Sequence, residues 1–370
     1  MIPVNEPLLS EPAFKYVEEC MRTGWISSEG RFIQEFENTL AAYCGMNYGV
    51  AVSNGTTALE VAVACLGLQP GDEIIMPTFT IISCALAIIR AGAKPVLVDS
   101  EPHTWCMDTG QVEAKITSRT RAIMPVHTYG HPVDMDPLCD LARKHGLMII
   151  EDAAEAHGAE YKGKKVGGIG DLSCFSFYAN KIITTGEGGM VLTKREDHAE
   201  TVRSLRNLCF RKDRRFYHTE SGHNYRLTNL QAAIGLAQVE NIEEHIERKR
   251  WMGKTYTERL CHLPQIAVPV EESWAKNVYW MYGVVLADDV EFDATEFARR
   301  LKAEGVDTRP FFIGMHEQPV LQREGLFVGE HYPVSDRLAR RGLYLPSGLT
   351  LTESQLETVC DVVTKVLERT

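Results

Sequence analysis

The sequence predicts an α/β fold: a large domain built on a mostly parallel, seven-stranded sheet flanked by helices, followed by a smaller C-terminal α/β domain. Three observations carry this expectation. Between about residues 45 and 195, short β-rich runs alternate with helical patterns, the alternation that builds a parallel sheet sandwiched by helices. Most of those runs are continuously apolar, as strands covered on both faces should be. After Thr228 the texture changes to long helical patterns with fewer strands.

In chain order, the strand candidates are 48–53, 73–76, 95–99, 122–126, 148–151, 174–177 and 190–193. Helical patterns lie between them at 57–66 and 137–145, the second closed by Gly146 as a C-cap. One long helix is expected from about 229 to 260, with Leu230, Ile234, Leu236, Val239 and Ile242 near helical spacing. A proline-bearing segment, 263–269, leads to a strand at 279–286. Helices at 294–304 and 353–367 and a short strand around 306–309 complete the second unit. The expected division is 1–240 for the large domain and 241–370 for the small one.

A length of 370 residues suits two domains or one large α/β unit, and 44% hydrophobic with 24% charged residues is ordinary for a globular core. The net charge of −11, from 50 acidic and 39 basic residues, argues against a nucleic-acid surface or an anionic-membrane patch. The longest apolar stretch, 81–89, stops at Arg90, short of the ~20 residues that span a bilayer. The opening MIPVNEP has no basic start or apolar h-region. Ten cysteines lie singly between Cys20 and Cys360, with no CxxC pair. Together these features predict a cytoplasmic protein with reduced thiols and no metal site.

Three segments point to chemistry. In 173–190, a strand carries Ser176, and Lys181 follows in a loop that turns through Gly186, Gly188 and Gly189. A lysine among apolar and neutral neighbours is partly desolvated, so its amine can be neutral and nucleophilic; the alternative is an ordinary loop lysine. In 149–155, Glu151 and Asp152 end a buried strand, where open α/β sheets bind ligands. The small Ala153 and Ala154 leave room for a flat group beside Asp152, whose carboxylate can hold a pyridine nitrogen protonated or simply cap a turn. In 52–59, Ser53, Asn54 and Gly55 precede a helix opened by Thr56 and Thr57, which is either a phosphate cradle or a plain N-cap. His127 and His131 are four apart, but Gly130 and Pro132 preclude a helical zinc pair. The glycine run at 167–170 follows no convincing strand, so it is not a dinucleotide fingerprint. Neither a GxSxG elbow nor a Walker loop is present.

In this order, the three segments resemble those of fold type I pyridoxal-phosphate enzymes, and more narrowly the DegT/DnrJ/EryC1/StrS family of nucleotide-sugar aminotransferases. The resemblance extends from Trp25-Ile26-Ser27-Ser28-Glu29-Gly30 through 53–59, 151–156 and 181–189 to Asn224-Tyr225-Arg226-Leu227-Thr228-Asn229 and Arg309-Pro310. It implies pyridoxal 5′-phosphate as cofactor, with Lys181 as the catalytic residue that holds it covalently and moves the substrate proton. It further implies that Asp152 pairs with the ring nitrogen and Ser176 binds phosphate beside the Gly55 and Thr56 amides. Glu155 lies near the ring, and Asn224 reaches the cofactor of a second copy in a homodimer with shared sites. Ile81 stands where many relatives carry an aromatic residue against the ring, and Phe79 is the nearest candidate to replace it. Trp25, Ser27, Tyr217, Arg226, Arg309 and His316 are the candidate substrate contacts.

The implied reaction moves an amino group from L-glutamate to a nucleotide-linked keto-sugar, GDP-4-keto-6-deoxymannose first. A UDP- or dTDP-linked 3- or 4-keto sugar is the alternative within enzymes. A non-catalytic pyridoxal-phosphate-binding regulator is the alternative outside them, disfavoured by the acidic balance. Family dehydratases carry histidine in place of the lysine, so Lys181 points to amination.

Overall fold

A computed structural model describes residues 1–211 and 213–368. Its first sheet has seven strands: β1 (Tyr48–Val52), β2 (Glu73–Pro77), β3 (Lys94–Val98), β4 (Thr120–Ile123), β5 (Met148–Asp152), β6 (Leu172–Ser176) and β7 (Gly189–Thr193). They lie in the order β1-β7-β6-β5-β4-β2-β3. Every pairing is parallel except the two made by β7. All five residues of β2, β6 and β7 are buried, as strands covered on both faces should be.

Each strand expected in this sheet is present, with one shift of note; in the second unit, the strand expected around 306–309 forms only at Arg309–Pro310. The run 122–126 pairs as a strand only over Thr120–Ile123. Beyond it, Pro125 offers no N–H, and the chain holds on through Met124 N to Ile75 O and an isolated bridge from Val126 to Asp152. The first interior helix spans Gly55–Ala64, two residues earlier than the apolar pattern. Its start is set by Asn54, whose side chain accepts the Thr57 amide while the Thr57 hydroxyl accepts the Asn54 amide. The helix Met135–His145 ends at Gly146 in the left-handed conformation (φ 65°).

The single long helix expected at 229–260 is instead two, Asn229–Glu240 and Ile242–Leu260. Asn241, at φ −108° and ψ 13°, breaks it, and its side chain donates to the Ala237 carbonyl in competition with the helix backbone. The second of these helices links two cores: Ile242 and Ile246 pack with the first sheet, whereas Met252, Tyr256 and Leu260 pack with the second.

The second sheet is antiparallel and has four strands: β8 (Ile266–Ala267), β9 (Tyr282–Leu286), β10 (Arg309–Pro310) and β11 (Gly342–Leu345), in the order β8-β9-β11-β10. β9 starts three residues later than the apolar pattern because Tyr279 turns through φ 47°. Helices Ala294–Ala303 and Glu353–Leu367 cover this sheet, with Phe297, Leu356 and Val363 fully buried. The chain's first residues also lie here: Ile2 N donates to Gly305 O, and Val4 O accepts from Ser347 N. Among the described residues, no helix is long and apolar enough to cross a membrane.

Candidate active site

The carboxyl ends of β5 and β6 and the segments after β1 and β2 converge on a cleft of about 510 Å³. One wall is a consequence of sheet register. Gly189 of β7 lies opposite Val52 of β1 on one side and Ser176 of β6 on the other. A Cβ at Gly189 would lie 2.3 Å from the Asn54 carbonyl oxygen, so only glycine lets these strands close up. Ser176 is thereby brought against the helix that starts at Gly55, where a Cβ would stand 2.6 Å from Ser176 Cβ. The Asn54 cap takes the Thr57 amide, and the amides of Gly55 and Thr56 head the helix beside the Ser176 hydroxyl. The Thr56 and Ser83 hydroxyls are hydrogen-bonded at 2.8 Å on the same wall. Amides at a positive helix end, with hydroxyls beside them, form a cradle for a phosphate.

Asp152 ends β5 and is 2% exposed. Its Oδ1 accepts the Ala154 amide at 3.0 Å, and its Oδ2 accepts the Cys84 thiol at 3.0 Å. Glu151, one residue earlier, faces the other side of the sheet, as strand alternation requires. There its carboxylate accepts the amides of Gly167, Ile169 and Gly170 and the Nε2–H of His127. Burial alone would raise the Glu151 pKa; the His127 contact and the glycine amides outweigh it and hold the carboxyl below its ordinary range. The glycine run at 167–170 is thus an anion nest for Glu151. His127, whose Nδ1 accepts the Val133 amide, has both ring nitrogens engaged.

Lys181 follows β6, with its amine 3.6 Å from the centroid of the Trp280 ring. Burial pulls its pKa below the ordinary lysine value, against the opposing charges of Glu155 and Asp152. Glu155 is pushed upward by burial, opposed by Lys181, and its Oε2 accepts the Tyr129 amide at 2.8 Å. Trp280 is fixed by its own contacts: its indole N–H donates to Asn180 O at 2.8 Å and its carbonyl accepts the Lys249 amine at 2.7 Å. Phe312 and Tyr344 continue this aromatic wall. Behind it, Tyr129 (φ 52°) stacks on Phe312 at 5.5 Å and 9°.

Of the residues singled out in the sequence, the cleft lining gathers Gly55, Thr56, Ile81, Asp152, Glu155, Ser176 and Lys181. Ile81 is 43% exposed there, while Phe79 is fully buried against Tyr129, Phe311 and Phe312 and does not take its place. The others lie elsewhere in this chain. Trp25 and Ser27 are exposed, Trp25 beside a separate hollow with Gly30 and Asn229. Asn224 is exposed and bridges Asn207, whose side chain also takes the Arg226 guanidinium at 2.7 Å. Tyr217 is exposed. Arg309 is exposed on β10, paired with Asp307 and opposite the cleft residue Tyr344. His316 is buried, with Nδ1 2.9 Å from the Thr78 hydroxyl and Nε2 2.8 Å from Asp336, so its ring is held behind β2.

Sequence reasoning missed Ser83, Cys84, Trp280, Phe312 and Tyr344. Only the placement of the second sheet against the first brings the last three to Lys181. A larger hollow of about 640 Å³, near Lys94, Lys115 and Tyr332, lies away from these groups. Converging chemistry, rather than size, selects the cleft.

The groups present fit an aromatic ring that carries a phosphate, an aldehyde and a ring nitrogen. The Gly55 and Thr56 amides beside Ser176 would take the phosphate, the Asp152 carboxylate would pair with the ring nitrogen, and Lys181 supplies the amine that would capture the aldehyde, with Ile81 and Ala154 in the same lining.

Comparison with known proteins agrees. Residues 7–364 match the DegT/DnrJ/EryC1/StrS aminotransferase family. The chain is 43% identical to GDP-perosamine synthase of Caulobacter vibrioides, covering 99% of this chain and 98% of that one. It is 40% identical to GDP-perosamine synthase of Escherichia coli O157:H7, over 98% and 97%. The solved structure of the aminotransferase TlmJ from Streptoalloteichus hindustanus superposes with a TM-score of 0.92 at 30% identity, over 100% and 99%.

Proposed function

This chain belongs to the DegT/DnrJ/EryC1/StrS aminotransferase family and is a pyridoxal-phosphate-dependent sugar aminotransferase, and from that premise we propose that it moves the amino group of L-glutamate to GDP-4-keto-6-deoxymannose. The observation that carries the chemistry is Lys181 in one cleft with Asp152, Glu155 and the Gly55–Ser176 cradle. The choice of GDP-sugar is supported by the likeness to the two perosamine synthases.

When bound, pyridoxal 5′-phosphate supplies the electron sink that lets an amino acid lose its Cα proton. The chain's own groups do the rest. The Gly55 and Thr56 amides and the Ser176 hydroxyl hold the phosphate, and Asp152 keeps the ring nitrogen's proton in place. Lys181 would hold the cofactor covalently, and once the incoming substrate amine had displaced it, its freed Nζ would take up and return the substrate proton. Its lowered pKa favours the neutral amine that such a role needs.

Trp25, Ser27, Tyr217, Asn224 and Arg226 lie outside this chain's cleft, and in our proposal they complete the cleft of a second copy. Exposed apolar groups near the cleft mouth, Ile81 and Tyr178, and in the segment of Tyr217, Phe216, suit burial against that copy. Full activity from a monomer would overturn this part. We place the protein in the cytoplasm, consistent with its ten free cysteines.

The substrate is tested by kcat/KM for matched GDP-, UDP- and dTDP-linked 4-keto-6-deoxy sugars with glutamate in excess. GDP should lead by about tenfold or more, ~1.4 kcal/mol of transition-state binding. Equal values, or a UDP or dTDP preference, would overturn the nucleotide assignment and leave the aminotransferase intact.

A further inference from the structure

We infer that the Cys84 thiol is a positioning residue for the cofactor's ring nitrogen, acting through the Asp152 carboxylate. Cys84 Sγ lies 3.0 Å from Asp152 Oδ2; Cys84 is fully buried and Asp152 is 2% exposed. The second carboxylate oxygen accepts the Ala154 amide at 3.0 Å, so each oxygen has its own donor and the plane of the group is set from two sides. Thr80 Oγ1 stands 3.6 Å from the same sulfur, and the hydroxyl can donate to it while the thiol proton goes to Asp152. Asp152 nevertheless lines the cleft, so the carboxylate fixed in this way is one that meets the ligand.

The identity of the donor matters chemically. A thiol is a weak hydrogen-bond donor, so it orients the carboxylate while drawing off little of the charge that holds the ring nitrogen's proton. A hydroxyl or amide in its place would compete harder for that charge. Burial, then the adjacent Asp152 charge, raises the Cys84 pKa well above its ordinary value, so the sulfur keeps its proton and remains a donor. Outer groups that orient a ligand-bearing residue tune its affinity in just this indirect way.

The inference rests on the assignment of Asp152 to the ring nitrogen, and the experiment separates the two. Apparent Kd is measured by equilibrium dialysis for pyridoxal 5′-phosphate and for its 1-deaza analogue, in which a C–H replaces the ring nitrogen. The proteins are wild type, Cys84→Ala, Cys84→Val, Cys84→Ser and Asp152→Asn. Cys84→Ala and the bulkier, apolar Cys84→Val should weaken the natural cofactor about three- to tenfold and leave the analogue unchanged. Cys84→Ser, which keeps a donor but competes harder for the carboxylate charge, should recover only part of the loss. An equal loss for both ligands would show a packing role only, and no loss would show no role; either result overturns the inference. If Asp152→Asn keeps the wild-type preference for the natural cofactor, the Asp152 assignment itself fails and takes the inference with it.

Discussion

The face of the Trp280 indole lies 3.6 Å from the Lys181 amine, a contact between the end of one sheet and the entry to the other. An aromatic face stabilises an ammonium by about 0.5–2 kcal/mol, so Trp280 opposes the burial that pulls the Lys181 pKa down. Trp280→Leu keeps an apolar wall and removes the ring. The Lys181 pKa should then fall further, and capture of the cofactor aldehyde, which needs the neutral amine, should reach its midpoint ~0.5–1 pH unit lower. Capture followed by absorbance across pH checks this, and an upward or absent shift contradicts it.

Lys181→Ala should abolish covalent capture and reduce turnover by about 10³-fold or more, while the circular dichroism spectrum stays native. Borohydride reduction and mass spectrometry of the wild type should place the pyridoxyl group on Lys181. A pyridoxyl group on any other lysine shows the assignment to be wrong.

Gly55→Ala tests the cradle. The added methyl would stand 2.6 Å from Ser176 Cβ, too close for two carbons, so either the helix start or β6 must shift. We expect pyridoxal 5′-phosphate to bind about tenfold more weakly, with ~1–3 kcal/mol lost from folding stability. Pyridoxal, which lacks the phosphate, should lose far less affinity. Equal losses for the two ligands would remove the phosphate from this site.

Much of this was legible in the sequence, for a physical reason. Most strands of the first sheet are short and covered on both faces, so they appear as largely apolar runs, and their carboxyl ends and the turns after them carry Asp152 and the residues of the cradle. The helix break at Asn241 escaped notice because apolar spacing continues across it from Val239 to Ile242; the break lies in a side-chain bond to Ala237, which periodicity does not encode. Trp280, Phe312 and Tyr344 escaped because they come from β11 and from the segments next to β9 and β10, and nothing local marks them as neighbours of Lys181. Glu151 and the glycines at 167–170 were each visible alone; their pairing requires the fold.

That pairing makes a stability prediction of its own. The Glu151 carboxyl is held below its ordinary pKa of 4.5 in the folded state, so the unfolded chain binds its proton more readily than the folded one. The stabilisation is therefore complete above about pH 4.5 and is lost as pH falls through the lower, folded value. Glu151→Gln keeps the shape but turns an amide NH₂ or a neutral oxygen toward the amides of Gly167, Ile169 and Gly170. At pH 7 it should cost about 2–3 kcal/mol of unfolding free energy. The gap between the variant and the wild type should shrink steadily once pH drops below 4.5. Urea unfolding of both proteins between pH 3.5 and 7 measures this; a gap that stays constant, or widens in acid, would mean that the charge of Glu151 contributes nothing to the fold.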